Sequence, residues 1–435
     1  MKKTVLSIAL LGCLVLAKAQ ENVYPASPQK ESIALTNATI HIGNGQVIEK
    51  GTIVFSNGKI TEVGATANTS GAKVIDCSGK HIYPGLIQSV SNLGLSEISS
   101  VRASQDVREL GENNANVRSL IAYNADSKII GTLRTNGIVL ANVVPEGGII
   151  SGSSSVVQLD AWNWEDAAYK ADNGIHFRMP SLAPRRGGFG GFQQLQQQGQ
   201  QQDPVKQGLE RIDRVRSFLK QAQAYYTESK RDKTNLRFEA VKGLFDKSQI
   251  FYVHCDLVKE MMVAGEFAKE FGFKTVIVGG ADSWKITDFL KENNLAVILG
   301  EMHSLPVMQD DDVDQPYKTP YLLQQGGVTF AISDQDGQTR GRNLMFNAGT
   351  AVAYGLTKEQ ALQAITLNAA KLLGVDDRTG SLEKGKDANI VISDGDILDM
   401  KSSLVSQVFI QGRMVSMDDK QKQLYERYKY KYNIK

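Results

Sequence analysis

The chain has 435 residues, of which 42% are hydrophobic, so it can form one large domain with a sizeable core and a smaller domain beside it. It carries 49 Lys and Arg against 47 Asp and Glu, a formal net charge of +2. A chain this close to neutral has no general electrostatic attraction to nucleic acid, which excludes nucleic acid from the expected partners.

The first 19 residues have the pattern of a secretory signal peptide. Lys2 and Lys3 precede an apolar run, and Ala17-Lys18-Ala19 is an A-x-A cleavage sequence before Gln20. The run is too short to cross a bilayer, and no later run is long enough. Removal of residues 1–19 leaves 46 basic against 47 acidic residues, a net charge of −1. We expect an exported, periplasmic protein without a transmembrane segment; the alternative is a lipoprotein anchored through Cys13.

Strand patterns near both ends of the chain indicate a small β-sandwich. The sequence alternates from Ile33, and Asn57-Gly58 is a hairpin turn because both residues tolerate positive φ. Ile390–Ile392 and Val405–Met414 add strands near the other end. We expect residues 20–83 and 380–416 to form one discontinuous domain. The charged tail at 417–435 indicates a solvated surface helix, with a membrane- or partner-binding role as the alternative.

Between the two ends, apolar strands alternate with helical segments. The predicted strands are Pro84–Val90, Ile138–Val144, Val156–Asp160, Phe251–Cys255, Thr275–Gly279, Ala296–Gly300 and Val328–Ser333. Parallel strands with helical crossovers favour an α/β fold, a (β/α)₈ TIM-like barrel over residues 84–379. The fourth strand has no clear apolar run, and His176-Phe177-Arg178-Met179 is the best candidate. A Gly- and Gln-rich, partly helical insert is expected at about 181–245, since its composition from Arg185 to Gln202 cannot form a core.

Polar residues follow several of these strands at the end where barrels carry their active sites. His254 lies at the carboxyl end of the fifth strand and Asp334 follows the eighth, with Asp336 two residues further on. Glu301 and His303 follow the seventh. Imidazole and carboxylate groups are usual zinc ligands. The alternative is structural: a buried His bonded to a neighbouring loop and an Asp that braces one.

Three further features have structural interpretations. Asp282 is expected to cap the helix that begins near Trp284. The Gly- and Ser-rich stretch Val144–Ser155 indicates a tight turn, with a ligand-binding loop as the alternative. Cys77 and Cys255 lie in different predicted domains and are expected to be free and buried.

Several segments resemble the amidohydrolase superfamily of metal-dependent hydrolases, in particular its imidazolonepropionase-like branch. They are the N-terminal sandwich with Pro84-Gly85-Leu86-Ile87, and the segments Asn347–Ala353, Ala361–Lys371 and Gly380–Asn389. In that superfamily Pro-Gly-Leu-Ile leads into Asp-x-His-x-His on the first barrel strand, and the two histidines hold a metal ion. Gln88, Val90 and Asn92 occupy those three positions here.

The resemblance implies roles for the residues that remain. It makes His254 the strand-five metal ligand, and Asp334 both the strand-eight ligand and the base that takes the proton of the attacking water. Gly279-Gly280 replaces the strand-six His, and the bridging Lys of the binuclear members has no counterpart. Two ligands are fewer than the three that a catalytic zinc needs, unless His303, Glu301 or Asp336 completes the set.

Two functions are compatible with this degenerate site. The first is a hydrolase that holds one divalent metal ion, zinc or manganese, and cleaves a non-peptide carbon–nitrogen bond of a small molecule with metal-activated water. The second is a catalytically inactive barrel without a metal ion, which binds a ligand or acts as a partner subunit. In that case we expect a homo-oligomer, or a hetero-oligomer with a related amidohydrolase.

Overall fold

The computed structural model of the protein describes residues 23–183, 203–228, 233–334 and 340–434. The expected signal peptide, the segment Arg185–Gln202 and Asp336 lie outside these residues. Within them, none of the helices combines the length and the apolar character needed to cross a bilayer.

Two eight-stranded sheets organise the described residues. The smaller sheet begins with β1 Ile33–His41, β2 Val47–Ser56, β3 Lys59–Gly64, β4 Lys73–Asp76 and β5 His81–Pro84. The barrel sheet follows with β6 Leu86–Ser91, β7 Ile138–Val143, β8 Ile150–Gln158, β9 Ala168–Arg178, β10 Ile250–Cys255, β11 Thr275–Gly279, β12 Ala296–Leu299 and β13 Phe330–Ile332. The chain then returns to the smaller sheet with β14 Ile390–Ser393, β15 Val405–Ile410 and β16 Arg413–Met414.

The smaller sheet joins the two ends of the chain, because β5 pairs antiparallel with β14 from Pro84↔Ile390 to His81↔Ser393. Pro84 therefore ends a strand of this sheet. The prediction that it begins the first barrel strand is wrong. The next residue, Gly85, donates its N–H to Asn389 O at 2.9 Å. A Cβ atom at Gly85 would lie 2.3 Å from a methyl group of Val139, so the turn between the two sheets requires glycine.

The barrel sheet runs in the order β6 to β13, and its neighbouring strands are parallel except where β8 is involved. The predicted TIM-like barrel with a second sheet domain is thus confirmed. β8 runs antiparallel to both β7 and β9, so the parallel strand predicted at Val156–Asp160 is wrong. Only residues 144–149 separate β7 from β8, too few for a crossover between parallel strands. Gly147 and Gly148, with φ of 89° and 70°, make the turn there.

The fourth barrel strand is β9, and it contains the predicted candidate from His176 to Arg178. Its first half is polar, which conceals it in the sequence. Its register with β10 places Tyr252 opposite His176 and His254 opposite Arg178. Successive side chains of a strand alternate between faces, so these four residues occupy one side of the sheet.

Helices surround the barrel sheet and cover its outer face. They are α1 Ser119–Ala122, α2 Lys128–Thr135, α3 Trp164–Ala167, α4 Pro204–Thr227, α5 Leu236–Ala240, α6 Lys242–Phe245, α7 Val258–Phe271, α8 Thr287–Glu292, α9 Gln315–Gln325, α10 Leu344–Ala353, α11 Lys358–Ala364, α12 Leu367–Leu373 and α13 Lys420–Tyr432. Single 3₁₀ turns lie at Arg102–Ser104, Ser283–Ile286 and Arg340–Asn343. Asp282 precedes the second of these turns, and its side chain accepts a hydrogen bond from Lys285 Nζ at 2.9 Å. The prediction that it caps the helix is wrong, because the side chain accepts no hydrogen bond from the helix backbone.

The alternation along β9 and β10 separates an aromatic outer layer from a polar interior. Phe177 and Phe251 pack on Phe267 of α7, with ring centroids 5.6 and 5.9 Å apart. On the other face, the Tyr252 hydroxyl donates to Leu372 O at 2.9 Å and accepts from Asn173 at 3.1 Å. His176 and His254 lie above this floor, toward the carboxyl ends of the strands. Cys77 and Cys255 are free and buried, as predicted.

Asp387 connects the smaller sheet to the barrel through a buried carboxylate. Its oxygens accept from Lys59 Nζ at 2.5 Å, from the Tyr169 hydroxyl at 2.6 Å and from Arg378 Nη2 at 3.2 Å. Burial alone would raise the pKa of Asp387, but the bonds from Lys59 and Tyr169 and the charge of Arg378 outweigh it and lower the pKa. Lys59 belongs to the smaller sheet and Tyr169 to the barrel, so one carboxylate holds both.

We predict that Asp387→Asn lowers the free energy of unfolding by about 2 kcal/mol, because three charge-assisted bonds are weakened and two cations lose their counter-ion. Urea unfolding followed by circular dichroism measures the change. Asp394→Asn is the matched control, since the Asp394–Lys80 pair at 2.8 Å is largely exposed and should cost less than about 1 kcal/mol. Equal losses in the two variants would contradict the role given to Asp387.

Candidate functional site

The carboxyl end of β10 brings two imidazoles together in the barrel interior. His254 Nε2 lies 2.8 Å from Nδ1 of His176, which is completely buried. The His176 ring stacks on Tyr252, with centroids 4.6 Å apart and planes at 13°. One nitrogen of such a contact must donate and the other accept, so the two imidazoles cannot both be charged in this arrangement.

The surroundings keep both rings neutral. Burial lowers the pKa of His176 well below its usual value of 6.5, and the charges of His254 and Arg178 lower it further. Burial also lowers the pKa of His254, again with Arg178 contributing. Nε2 of His254, one of its two nitrogens that could ligate a metal ion, is therefore engaged in a hydrogen bond between two neutral imidazoles.

Arg178, the last residue of β9, places a cation at the barrel mouth. Its Nε donates to Ser151 Oγ at 3.1 Å and its Nη2 to Pro145 O at 3.4 Å. In the part of the chain that the structure describes, no carboxylate forms an ion pair with it. Burial lowers the pKa of Arg178, with Arg108 opposing and Glu146 favouring its charge. A half-buried guanidinium beside the two imidazoles repels a second cation at this point.

Two amides and a valine occupy the positions of the first-strand motif that the resemblance implies, with Val90 and Asn92 in place of its two histidines. Gln88 donates through Nε2 to the backbone carbonyl of Asp334, and Val90 N donates to Ser333 Oγ at 3.3 Å. These bonds join β6 to the end of β13 and nearly close the barrel. The buried oxygens of the Gln88 and Asn92 amides have no hydrogen-bond partner among the described residues, and neither has the amide of Asn142 on β7.

The other predicted site residues each have a different partner. Asp334 is buried, and its Oδ2 accepts from Asn347 Nδ2 at 3.3 Å. His303 is exposed, with Nε2 3.1 Å from Thr350 Oγ1. Glu301 pairs with Arg340, whose Nη1 is 3.1 Å from Oε2. Asp336 lies outside the described residues.

No three His, Cys, Asp or Glu side chains within residues 23–183, 203–228, 233–334 and 340–434 form a group that could hold a metal ion. The structure places His254 and Asp334 at the predicted strand ends, but it does not assemble them with His303 or Glu301 into one ligand set.

Strand six shows what has replaced its expected histidine. Gly279 has φ of +102°, a conformation that strains any L side chain, and a Cβ atom there would lie 2.6 Å from Asp256 Oδ1. Gly280 also has a positive φ of 64°. The space beside β11 is thus taken by Asp256, which follows β10 and accepts from Ala281 N at 3.3 Å.

Asp256 lines a cleft of about 340 Å³ at the carboxyl ends of β10, β11 and β12. Apolar residues such as Leu299, Met302 and Leu305 form much of the remaining wall. Burial raises the pKa of Asp256, and the neighbouring carboxylates Glu260 and Asp282 raise it further against the bond from Ala281. A concave, partly apolar cleft with a few polar groups is the usual form of a small-molecule site.

Sequence reasoning did not assign a role to His176, Arg178 or Asp256. His176 and Arg178 are two residues apart at the carboxyl end of β9, so their side chains lie on the same face of the strand. Recognition of that strand would have indicated both as site residues. Asp256 stands two residues after His254 and so follows the same strand. Its relation to Gly279 depends on the pairing of β10 with β11, which places Cys255 opposite Gly279 and could not be read from spacing.

Comparison with known proteins shows which proteins this chain is similar to. The profile of the Amidohydrolase family matches residues 320–415. The imidazolonepropionase of Mesorhizobium japonicum is 24% identical over 386 residues, which cover 80% of this chain and 87% of the relative. That of Thermoplasma volcanium is 41% identical over 86 residues, only 19% of this chain and 21% of the relative. The crystal structure of an amidohydrolase from Thermotoga maritima superposes with a TM-score of 0.74 at 24% identity, covering 88% of this chain and 99% of that one.

The chain has the fold of the amidohydrolases and is similar in sequence to imidazolonepropionases. Amidohydrolases characteristically use metal ions, so the residues present at the barrel mouth of this protein have to be tested against that requirement. They do not fit it. A valine and two amides occupy the strand-one positions, Gly279 has no side chain, and His254 is bonded to His176. Arg178 adds a positive charge to the same region.

The neutral imidazole pair predicts acid sensitivity. The pKa of His176 and His254 is lowered in the folded state, so below pH 6.5 the unfolded chain binds more protons and the free energy of unfolding falls. Two such groups lower the free energy of unfolding by about 2 kcal/mol between pH 6.5 and 5.5, and their contribution fades as pH rises above 6.5. Urea unfolding across pH 5.5–8 measures it.

His254→Asn should reduce this loss of stability by at least half, because one titrating imidazole is removed and His176 loses its neighbour. His303→Asn serves as the matched control, since His303 is exposed at the same end of the barrel. A loss of stability that responds equally to both substitutions would disprove the assignment to the buried pair.

Proposed function

We propose that this amidohydrolase-fold protein has lost metal-dependent hydrolysis and functions by binding a small molecule in the cleft at its barrel mouth. The observation that carries the proposal is the contact between His254 Nε2 and His176 Nδ1 at 2.8 Å. His254 is the one histidine of the expected ligand set that this chain retains, and this contact binds it to another imidazole instead of a metal ion.

Three further observations support loss of the metal ion. Val90 stands where the resemblance requires a histidine, with only a hydrocarbon side chain to offer. Gly279 has a positive φ that a histidine would adopt only with strain, and a side chain at this position would collide with Asp256. Arg178 lies near both imidazoles and opposes a divalent cation there. These three residues disfavour a bound metal ion at the barrel mouth. The cleft beside them is still available to a small molecule.

A second candidate function is the metal-dependent hydrolase that acts on non-peptide carbon–nitrogen bonds. The position of His254 and Asp334 at the ends of β10 and β13 favours it, because the resemblance assigns metal ligands to those two strand ends. This function needs at least one more ligand. The two proposals therefore differ in a quantity that can be measured directly, the metal content of the protein.

We expect the protein, purified without a histidine tag or chelator, to contain less than about 0.1 zinc or manganese ion per chain by plasma mass spectrometry. His254→Asn and Asp334→Asn should leave that content unchanged. About one ion per chain, lost in both variants, would overturn the proposal in favour of the hydrolase.

Restoring the strand-one pair provides a positive control. Val90→His with Asn92→His restores the two strand-one histidines that the resemblance implies, and we expect this double variant to bind more zinc than the unsubstituted protein. Adding His254→Asn should remove this additional zinc. Strand six is left unchanged, because Gly279 cannot accept a side chain without displacing Asp256.

Ligand binding in the cleft has its own test. Native mass spectrometry of the purified protein, before and after mild denaturation, should reveal a small molecule that co-purifies. Ala281→Phe should abolish this adduct because Ala281 lines the cleft and a ring would fill it. Ala65→Phe, at an exposed position of the smaller sheet domain, should retain it. An adduct that survives Ala281→Phe is bound elsewhere and contradicts the location of the site.

A further inference from the structure

The C-terminal helix α13 stands out because none of its residues is buried. Its first turn is attached to the barrel helix α2: the Thr135 hydroxyl donates to Asp419 Oδ2 at 2.7 Å, and the Thr132 hydroxyl donates to Gln421 Oε1 at 2.8 Å. Asp419 also caps the helix, its Oδ1 accepting from Lys422 N at 2.9 Å. The helix therefore has a fixed origin, and its later turns lie on the surface.

Three tyrosines form a stripe along these later turns. At 100° per residue, Tyr425, Tyr428 and Tyr432 fall within an arc of about 60°. Their exposed fractions are 63%, 52% and 62%, and the rings of Tyr428 and Tyr432 stack at 6.3 Å. Water-exposed aromatic rings aligned on one helix face represent apolar area that a partner could cover.

Basic residues border the tyrosine stripe. Lys429 lies about 40° beyond one edge of the arc and Lys431 about 60° beyond the other. The Lys429 ammonium is 5.4 Å from the Tyr425 ring, and that of Lys431 is 4.9 Å from the Tyr432 ring. The single acid of the helix, Glu426, pairs with Lys429 at 3.7 Å, and Tyr430 lies on the side opposite the stripe.

The helix concentrates positive charge that the rest of the chain lacks. Between residues 420 and 432 it carries five basic residues and one acidic residue, a net charge of +4, whereas the whole chain is +2. The basic residues are Lys420, Lys422, Arg427, Lys429 and Lys431. Charge complementarity requires a partner surface that is anionic.

We propose that α13 docks on the surface of an anionic phospholipid bilayer, with its tyrosine stripe at the level of the headgroups. Tyrosine favours this interface because its ring is apolar and its hydroxyl remains hydrated. Lysines on both sides of the stripe can extend toward lipid phosphates while their methylene stems lie on the bilayer. The straight stripe spans about 10 Å along the helix and suits a flat surface better than a pocket.

Co-sedimentation with lipid vesicles tests the proposal. The probes are vesicles of phosphatidylcholine alone and of phosphatidylcholine with 30% phosphatidylglycerol, at 100 mM salt. We expect at least tenfold tighter binding to the anionic vesicles, and its loss at 500 mM salt, where charges are screened. The N-terminal stretch, with its apolar run and its lysines, is common to all variants, so any affinity that it confers cancels when variants are compared on the same vesicles.

Two sets of substitutions locate the contact. Lys422→Gln, Lys429→Gln and Lys431→Gln combined should weaken anionic binding about 100-fold, since each basic residue near such a surface contributes about fivefold. Tyr425→Ser, Tyr428→Ser and Tyr432→Ser combined should weaken it at least tenfold. Tyr430→Ser is the matched control: it is 88% exposed but on the opposite face, and it should change binding less than twofold.

A second control removes the same number of charges elsewhere, with Lys73→Gln, Lys384→Gln and Lys401→Gln on exposed positions outside the helix. Equal binding to neutral and anionic vesicles overturns the proposal. So does an equal loss in Tyr430→Ser and in the stripe variant. Failure to bind vesicles, with the stripe variant instead losing an acidic protein partner, also overturns it. Circular dichroism establishes that each variant retains its fold.

Discussion

Antiparallel pairing between β5 and β14 is the interaction on which the remaining structure depends. It brings two segments separated by about three hundred residues into one sheet, immediately before the first barrel strand begins. The bond from Gly85 N to Asn389 O then directs the chain into β6, and the Asp387 carboxylate joins the smaller sheet to β9 a short distance away. These contacts between the smaller sheet and the barrel involve no residue of the barrel mouth.

This separation explains how the fold persists while the mouth changes. The barrel core consists of apolar strand residues and the aromatic layer against α7, and none of these depends on a bound ion. In a metal-dependent relative, a cation would compensate the charges of the ligands at the strand ends. Here the positions hold amides, a valine and a pair of neutral imidazoles, so little negative charge needs compensation. Asp334, the carboxylate that remains, is held by the Asn347 amide.

Replacement of the expected ligands has also reorganised their neighbours. The glycine at 279 allows Asp256 to occupy the space beside β11, and that carboxylate now faces a cleft with apolar walls. Arg178 supplies a cation on the other side of β10. The mouth thus carries a carboxylate and a guanidinium of its own, Asp256 and Arg178. The charge on α13 is equally local, because the rest of the chain has a net charge of −2.

Much of the architecture was determined by sequence patterns that act over short distances. Period-two alternation and Asn-Gly turns located the smaller sheet, and apolar runs followed by polar residues located β7, β10, β11 and β12 within one or two residues of their bounds. The absence of the strand-one histidines could also be read from the sequence, because the motif that begins with Pro84-Gly85-Leu86-Ile87 fixes their expected positions. Tertiary structure decided the rest. The serines of β8 resemble a loop until β7 and β9 pair with them, and the partner of His254 became clear only when the register of β9 placed His176 beside it. Hydrogen bonding between strands and the direction of side chains inside a barrel depend on residues far apart in the chain, so local patterns do not contain them.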